Sequence, residues 1–328
     1  MKGSNSLQEQ YGDRVIPGYN LKTNEYLELG DEYKIIFFNN PYEMYDHPYH
    51  NIKYFDDKDV LTLCTNYGTP VNTYWDAIIP LDFYSILWKF ILETEDHIDY
   101  YSKRSMIEGS NALLAGYIKM DDLYDEIKRN ERVNIIISPH QTVLENTPVS
   151  LSNFLRYYDF FLKLPLMYPE INFIFRPHPG LFSGLVFNKI WTQTMVDDYL
   201  KKIDAIPNMS YDNANYYLDT FADSDALIHD CGSFIVEYLF TKRPCCFMMK
   251  DSGTFTDTLL PFVSKCLENH YKASSEKDIL AFIDDVVIKK NDPLKETRES
   301  VSRELMVNYP NSSEVVIDYL KKIICHES

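Results

Sequence analysis

Short apolar runs alternate along this chain with longer segments in which apolar residues recur every three or four positions. The runs "YKIIFFNN" (33–40) and "DVLTLCTNYGTP" (59–70) end in polar or turn-forming residues. Such runs are typical of buried strands, and the periodic segments between them are typical of helices. We also expect an aromatic-rich helix over 81–102, a strand at 111–119 and a charged helix over 120–130. The alternation predicts an α/β fold with parallel sheets.

The same alternation restarts in the second part of the chain. Strands are predicted at 132–142, 171–180, 208–211, 226–229 and 244–249. A helix is predicted between residues 150 and 170, with Ser150 or Ser152 as its N-cap and Pro169 as its end. Three further helices, over 276–288, 294–307 and 313–325, are expected to close the chain.

The two cycles predict two domains, 1–118 and 119–328, each a Rossmann-like unit with its own parallel sheet. Two such units facing each other across a cleft place ligand sites at the carboxyl ends of their strands. The first unit is short for a complete doubly wound domain, so we expect its sheet to be reduced. With 328 residues, 45% of them hydrophobic, the chain can bury two cores.

Charge and cysteine content narrow the function classes. The formal net charge of −17 argues against a nucleic-acid-binding protein, which needs a broad basic face, but leaves small phosphorylated ligands open. The six cysteines show no CxxC spacing, and Cys245 and Cys246 lie in an apolar run, so we expect reduced core thiols in a cytoplasmic protein. No apolar run reaches the roughly 20 residues of a membrane-spanning helix. Attachment to a membrane surface stays open.

Histidines follow or end three of the predicted strands. His140 comes after Ser-Pro, His178 lies in Arg-Pro-His-Pro, and His229 precedes Asp230. Because the carboxyl ends of parallel strands lie at one edge of a sheet, these side chains are expected to converge on one cleft. The alternative is that each histidine is a loop residue whose hydrogen bonds are satisfied by the backbone.

The turn Arg176-Pro177-His178-Pro179 is expected to be rigid. Each proline fixes its own φ and favours an extended residue before it. A rigid turn suits an arginine fork and a histidine that meet a phosphate at set distances. A purely structural turn is the alternative.

The segment "HDCGSFIVEYLF" (229–240) predicts a strand, a tight loop and a helix start. Gly232 allows a close backbone approach, and Ser233 would lie where free helix N–H groups bind an anion such as a diphosphate. Glu237, one turn further on, is placed to accept hydrogen bonds from a ribose diol. A solvated glutamate is the alternative for Glu237.

Metal sites are disfavoured by the same segments. His229-Asp230 ends a strand, whereas the metal ligands of an HD phosphohydrolase lie on helices. A zinc site made of His140, His178 and His229 lacks any ligand pair at HxxxH or CxxC spacing. No metal ligand is therefore predicted, and Mg²⁺ assistance to diphosphate binding is left open.

Three segments in order resemble the CDP-glycerol glycerophosphotransferase family, teichoic-acid-polymerase-like enzymes with a GT-B fold. They are "NIIISPHQT" (134–142), "INFIFRPHPG" (171–180) and "YYLDTFADSDALIHDCGSFIVEYLFTKRPCCFM" (216–248). The resemblance extends over 33–249 and is strongest from Val133 onward. It implies transfer of glycerol phosphate, or a related polyol phosphate, from a CDP-activated donor to a hydroxyl of a cell-surface polymer or glycan. It also implies an acceptor-side first domain and a donor-binding second domain.

Residue roles follow from this resemblance. The family's site histidines correspond to His140 and His178, and its nucleotide-diphosphate loop to Asp230–Ser233. We expect His140 to act as general base, with Arg176 and His178 stabilising the phosphoryl oxygens; the two histidine roles are interchangeable at this stage. The expected donor-binding residues are His229, Asp230, Gly232, Ser233 and Glu237.

Two rival functions share these motifs. A GT-B glycosyltransferase of capsule or surface polysaccharide synthesis would use the same diphosphate loop and ribose carboxylate with a nucleotide sugar. A catalytically silent scaffold subunit is the second rival. For a transferase of this kind we expect a cytoplasmic location, at the inner face of the plasma membrane.

Overall fold

The computed structural model describes residues 8–9, 11–28, 30–40, 47–123, 131–145, 149–250 and 255–326. The chain divides into two compact units. The N-terminal unit comprises Met1–Tyr67 and Asp76–Leu114, and the C-terminal unit comprises Gly68–Trp75 and Ala115–Ser328. A short segment of the first 118 residues, 68–75, therefore groups with the C-terminal unit.

The N-terminal unit contains a four-stranded parallel sheet in the order β3-β4-β5-β6 and a small antiparallel pair, β1-β2. Its strands are β1 (Tyr19–Asn20), β2 (Glu25–Tyr26), β3 (Ile35–Phe38), β4 (Leu61–Thr65), β5 (Lys89–Leu92) and β6 (Ala112–Leu114), and its α-helices are α1 (Asp82–Ile86) and α2 (Glu95–Ser102). The strands expected within 33–40, 59–70 and 111–119 are confirmed.

The single helix expected over 81–102 is wrong. The segment is a helix, a strand and a second helix, α1-β5-α2. In β5 the run Phe90, Ile91 and Leu92 is fully buried between neighbouring strands. A run of residues buried on both faces suits a central parallel strand, whereas a surface helix would need a polar face. Thr94 then caps α2 by accepting a hydrogen bond from the backbone N–H of His97.

The C-terminal unit contains a six-stranded parallel sheet in the order β12-β11-β10-β7-β8-β9. The strands are β7 (Asn134–Ser138), β8 (Asn172–Phe175), β9 (Met209–Tyr211), β10 (Ala226–His229), β11 (Cys245–Met248) and β12 (Tyr271–Ala273). The five strands predicted for this part of the chain are confirmed, and β12 was not predicted. Cys245 and Cys246 are fully buried free thiols in β11, as expected.

Helices pack on this sheet and close the chain. They are α3 (Phe154–Met167), α4 (Leu181–Phe187), α5 (Gln193–Asp204), α6 (Leu218–Asp223), α7 (Phe234–Glu237), α8 (Pro261–Glu268), α9 (Glu276–Ala281), α10 (Lys295–Leu305) and α11 (Ser312–His326). The first of them begins after Asn153, so the expected N-caps Ser150 and Ser152 are wrong, although Ser152 Oγ accepts from the N–H of Phe154 at 3.2 Å. Of the charged helix expected over 120–130, the first residues lie in a 3-10 turn, Ile118–Leu123, and 124–130 lie outside the described residues.

The register of the sheet positions the candidate chemistry. In β10, His229 lies level with Ser138 of β7, and Ile137 of β7 lies level with Phe175 of β8. The three strands that carry histidines are thus neighbours and end at nearly the same level. A core of aliphatic and aromatic side chains, including Phe154, supports this sheet.

Candidate functional site

His140 and His178 come together at the carboxyl edge of the C-terminal sheet. Their ring centroids lie 5.0 Å apart with the planes inclined at 64°. The backbone joins the two loops as well, because the N–H of His178 donates to the carbonyl of Pro139 at 2.9 Å. Both side chains are partly exposed. The convergence expected from the strand ends is present for these two residues.

His229 does not join this pair. It is fully buried at the end of β10, where Nδ1 contacts the carbonyl of Cys231 at 3.1 Å and Nε2 contacts Nδ1 of His270 at 3.2 Å. His270 in turn contacts the carbonyl of Ile235 through Nε2 at 2.9 Å. Burial lowers the pKa of both imidazoles, that of His270 to about 3. In the structure His229 therefore supports the loop after β10 from within the core.

Asp230 is buried and its carboxylate joins two loops by hydrogen bonds. Its Oδ1 accepts from the N–H of His140 at 2.6 Å, and its Oδ2 accepts from the N–H of Asn153 at 2.5 Å. Burial raises the pKa of Asp230 to about 7, while the donors on Asn153 and His140 favour the charged form. The carboxylate thus fixes the backbone that carries His140 and the first turn of α3, instead of presenting itself to solvent.

Burial keeps the two clustered imidazoles neutral. It lowers the pKa of His140 to about 3, with a smaller contribution from His178, and it also lowers the pKa of His178. At neutral pH the pair therefore carries no charge. The nitrogen Nδ1 of His140 accepts from the N–H of Thr142 at 3.3 Å, and Nδ1 of His178 accepts from the N–H of Gly180 at 3.0 Å.

Arg176 is a largely buried anchor at the end of β8. Its guanidinium pairs with Asp212, the residue after β9, and donates to the carbonyl of Ala214 at 2.7 Å. Asp212 also accepts from the hydroxyl of Thr220 at 2.5 Å. The guanidinium lies 5.8 Å from the ring centroid of Tyr217. Both terminal nitrogens of the Arg176 guanidinium are therefore engaged with the loop after β9, which they hold in place.

The loop after β10 presents unused backbone donors. Within the described part of the chain, the N–H groups of Gly232, Ser233 and Phe234 donate to no acceptor, whereas Ile235 already donates to the carbonyl of Gly232 at 3.1 Å. Successive backbone N–H groups without an acceptor are donors of the kind that can bind an anion. The helix that follows is short, since α7 ends at Glu237 and the chain continues as a 3-10 turn.

Gly232 also packs closely against apolar side chains, apart from the anion approach expected of it. A Cβ built on it would lie 3.2 Å from Cγ2 of Val71 and 3.4 Å from Cζ of Phe255. The space beside Gly232 is therefore filled by apolar side chains of its own unit. Cys231, next to it, is buried, and its Sγ donates to the carbonyl of Ser138 at 3.4 Å.

Glu237 is fully buried and already hydrogen-bonded. Its Oε1 accepts from the hydroxyl of Tyr117 and its Oε2 from that of Tyr217, and Nζ of Lys119 lies 3.5 Å from Oε1. The ammonium of Lys119 also lies 4.5 Å from the ring centroid of Tyr217. A solvated glutamate, the alternative considered from sequence, does not describe this carboxylate. Lys119 and Tyr217 are the partly exposed members of the cluster.

Several residues of this site could have been found by the rule that found the histidines. Asp212 directly follows β9, and Lys250 lies two residues after β11, where it donates to Ser150 Oγ at 2.7 Å. Thr142 lies two residues after His140. The contacts of Tyr117 and Tyr217 with Glu237 span 120 and 20 residues of sequence, and no local pattern signals them.

Two absences in the described residues bear on the predictions. No group of three or more His, Cys, Asp or Glu side chains there could hold a metal ion. In the same residues, no helix combines the length and apolar composition needed to cross a bilayer.

No protein-family model matches the chain, and no curated protein matches it. Solved structures do. A variant of the wall teichoic acid polymerase TagF with one histidine replaced by asparagine matches with a TM-score of 0.67 and 14% identity, over 99% of this chain and 85% of that chain. A TagF variant soaked with CDPG matches with a TM-score of 0.61 and 15% identity, over 90% of this chain and 74% of that chain.

A second group of similar structures contains bound UDP or UDP-GlcNAc. Staphylococcus aureus MnaA with UDP matches with a TM-score of 0.60 and 10% identity, over 98% of this chain and 86% of that chain. The UDP-GlcNAc 2-epimerase of Neisseria meningitidis bound to UDP-GlcNAc matches with a TM-score of 0.54 and 11% identity, over 88% of this chain and 76% of that chain.

The predicted GT-B-like α/β fold class is confirmed, as is the resemblance in fold to the teichoic acid polymerase.

Proposed function

We propose that this protein is a transferase that moves glycerol phosphate, or a related polyol phosphate, from a CDP-activated donor to a hydroxyl of a cell-surface polymer. The observation that carries the proposal is the pairing of His140 and His178 at the ends of neighbouring strands. The adjacent strand, β10, leads into the loop in which the N–H groups of Gly232, Ser233 and Phe234 have no acceptor. A phosphoryl-transfer site needs donors for the transferring group and donors for the leaving phosphate, and this edge of the sheet offers both.

The chemistry needs little from the protein beyond position and polarity. The acceptor oxygen forms a bond to the phosphorus of the polyol phosphate, and the bond from that phosphorus to CMP breaks. We assign the imidazoles to the transferring phosphoryl oxygens and the N–H groups of Gly232, Ser233 and Phe234 to the phosphate of CMP. Asp230 and His229 act indirectly in this scheme, by holding the two loops.

Arg176 and Glu237 are assigned supporting roles. Arg176 is paired with Asp212, so its charge contributes to the potential of the site while its fork stays on the protein. Glu237 would contact the ribose only by exchanging a tyrosine hydroxyl for a ribose hydroxyl. The soak of TagF with CDPG supports a CDP-activated donor, and the name of TagF, wall teichoic acid polymerase, supports a wall teichoic acid or similar polymer as the acceptor.

A nucleotide-sugar transferase is the second candidate, because MnaA and a UDP-GlcNAc 2-epimerase with bound UDP or UDP-GlcNAc share the fold. Both candidates predict a nucleotide in the C-terminal unit, and the base distinguishes them. Thermal unfolding with CMP, CDP, CDP-glycerol and CDP-ribitol, compared with UDP and GDP, tests this directly. We expect cytidine nucleotides to raise the Tm, and CDP-glycerol or CDP-ribitol to release CMP when an acceptor polyol is present.

Three other results would count against the proposal. Stabilisation by UDP or UDP-sugars alone would favour the nucleotide-sugar transferase. Stabilisation by no nucleotide would favour a silent scaffold subunit. Unchanged release of CMP in His140→Ala and His178→Ala variants would show that the reaction does not use this site. Repeating the assay with EDTA and with added Mg²⁺ establishes whether diphosphate binding needs a cation.

A further inference from the structure

The two clustered histidines share one local hydrogen-bonding pattern. In each, the backbone N–H of the residue two positions later donates to Nδ1: Thr142 to His140 at 3.3 Å and Gly180 to His178 at 3.0 Å. A backbone N–H can only donate, so both Nδ1 atoms are acceptors and carry no proton. The tautomer of a histidine is set by the hydrogen bond that its second nitrogen makes.

A side chain reinforces this pattern at His140. The hydroxyl oxygen of Thr142 accepts from the N–H of Leu151 at 3.0 Å and lies 2.9 Å from Nδ1 of His140. With one lone pair of that hydroxyl engaged, its proton is free to donate to Nδ1. Two donors on Thr142 thus converge on one nitrogen, which makes Thr142 a positioning residue for the imidazole.

The other nitrogen of each ring remains open. Within the described residues, neither Nε2 of His140 nor Nε2 of His178 has a hydrogen-bond partner, and both side chains are partly exposed. A neutral imidazole carries one proton, so a ring whose Nδ1 accepts carries that proton on Nε2. Burial keeps both rings neutral near pH 7.

We infer that His140 and His178 are fixed as Nε2–H tautomers and act as paired neutral hydrogen-bond donors to the phosphoryl group, so that neither is its general base. The inference deepens the proposed function and rests on it for the identity of the substrate. It replaces the sequence-based expectation of a general base at His140. A base needs its lone pair at the nitrogen that faces the substrate, and here the lone pair of each ring is turned to its own loop.

The reaction balances without an enzymic base. The attacked phosphorus also carries the polyol ester, and what such a transfer asks of the site is mainly positioning and stabilisation of charge. The new bond forms between the acceptor oxygen and phosphorus, and the bond from phosphorus to the CMP oxygen breaks with its electron pair remaining on CMP. The hydroxyl proton passes through solvent to the leaving phosphate of CMP, a phosphate monoester with a second pKa of about 6. The two Nε2–H groups stabilise the oxygens of the transferring group throughout.

The tautomers can be read without any turnover. In protein labelled with ¹⁵N-histidine, long-range ¹H–¹⁵N correlation spectra report which nitrogen of each ring is protonated, and spectra of His140→Gln and His178→Gln assign the two rings. We expect unprotonated Nδ1 and protonated Nε2 in both, with the Nε2 signals moving when inorganic pyrophosphate or CDP-glycerol is added. A protonated Nδ1 in either ring, or Nε2 signals that respond to neither compound, overturns the inference.

Kinetics separates donation from base catalysis. The amide nitrogen of glutamine reaches the place of Nε2 and donates a hydrogen bond, but it cannot take up a proton. We expect CMP release to stay within about tenfold of native in His140→Gln and His178→Gln, and to fall about 10²–10³-fold in the alanine variants, the usual effect of losing one such donor. Glutamine variants as inactive as the alanine variants would overturn the donor role. If no CDP-polyol is turned over by the native protein, the proposed function fails, and the tautomer and pyrophosphate spectra still decide this inference.

Discussion

The backbone N–H of His140 donates to Oδ1 of Asp230 at 2.6 Å, across the gap between two neighbouring strand ends. The other carboxylate oxygen of Asp230 holds the N–H of Asn153 at 2.5 Å. One fully buried carboxylate therefore fixes both the histidine loop after β7 and the beginning of α3. In sequence, His229-Asp230 resembles a metal-binding dipeptide. In the structure, Asp230 instead holds the loop of a different histidine, His140.

The Asp230→Asn variant tests these two hydrogen bonds. The variant keeps the size of the side chain but turns one acceptor oxygen into an NH₂ group, so one of the two backbone donors loses its partner. A buried donor without a partner costs about 1–3 kcal/mol, and displacement of His140 by as little as about 1 Å would slow a positioned reaction as much as about 100-fold. Urea unfolding measures the first effect, and CMP release measures the second.

Asp225→Asn is the matched control, at the other end of β10. Oδ2 of Asp225 also accepts from a backbone N–H, that of Asn134 at 2.9 Å, but far from the histidine pair along the strands. We expect a loss of stability of similar kind with CMP release nearly unchanged. Equal loss of activity in the two variants would show that stability, and not the position of His140, governs the rate.

The buried pair His229 and His270 predicts acid sensitivity. Each imidazole has a pKa below its unfolded value of about 6.5. Below that value the unfolded chain binds more protons than the folded one, so the stability that these groups contribute is present above pH 6.5 and is lost as the pH falls towards 3. Asp230, whose pKa is raised, acts in the opposite direction between about pH 4 and 7.

His270→Gln isolates one of these contributions. Glutamine cannot be protonated, so the slope of the unfolding free energy against pH between 6.5 and 5 should decrease by up to about 1.4 kcal/mol per pH unit, the value for one proton. Urea unfolding of native protein and variant at several pH values gives the two slopes. Because Asp230 is present in both proteins, its contribution cancels to a first approximation. Identical slopes would mean that His270 is protonated, or neutral, equally in both states.

The hydroxyl of Tyr217 is expected to stabilise the buried Glu237 carboxylate. Tyr217→Phe removes the donor to Oε2 and keeps the ring beneath the Lys119 ammonium. An acceptor left without its donor in a buried site costs about 1–3 kcal/mol. The control is the adjacent Tyr216→Phe, since its hydroxyl bonds Asp122 at 2.7 Å on an exposed side chain and should be worth less than about 1 kcal/mol. Similar losses in urea unfolding would argue against a special role for the buried bond.

The same tyrosine variant tests the expected contact of Glu237 with a ribose. If a ribose hydroxyl replaces that of Tyr217, the phenylalanine variant should bind CMP at least as tightly as native protein, because no hydroxyl has to be displaced. Calorimetric titration with CMP measures the affinity. A Kd weakened in proportion to the loss of stability would instead assign Glu237 to the scaffold alone.

The alternation of apolar runs was sufficient to predict the strands that matter here, because parallel strands buried on both faces are short, apolar and bounded by turn residues. The prediction of a single helix over 81–102 failed because such a short buried strand lies within it. Its central strand Lys89–Leu92 is too short to interrupt the periodicity of the flanking helices in sequence, and burial between neighbouring strands decides its conformation. The strand Tyr271–Ala273 was missed because it is an edge strand of three residues with one exposed lysine.

The position of a site residue was predictable where it depends on the topology of the sheet. The role of a site residue was not predictable where it depends on which side chains contact it. His140 and His178 could be placed together from the rule that parallel strands end at one edge of a sheet, but the same rule wrongly added His229, which is buried beside His270. The roles of Arg176 and Glu237 depend on Asp212 and on two tyrosines, one of them 120 residues away in sequence. The sequence shows a buried charge only as a charge among apolar neighbours, and it does not show whether a protein group or a ligand satisfies it.

Gly232 and Gly68 form a matched pair for a last prediction about the loop after β10. Neither has a positive φ, so a methyl group at either place meets only its neighbours. At Gly232 that methyl would lie 3.2 Å from Val71 and 3.4 Å from Phe255, whereas at Gly68 its nearest neighbours are Ser233 and Glu237 at 3.8 and 3.9 Å. We expect Gly232→Ala to lose about 1–3 kcal/mol through overpacking and to weaken the Tm increase caused by CMP, since the free N–H groups move with the loop. Gly68→Ala should be neutral or more stable by about 0.4–1 kcal/mol. Equal stability and equal nucleotide response in the two variants would show that the loop yields without cost and that Gly232 is not required for its shape.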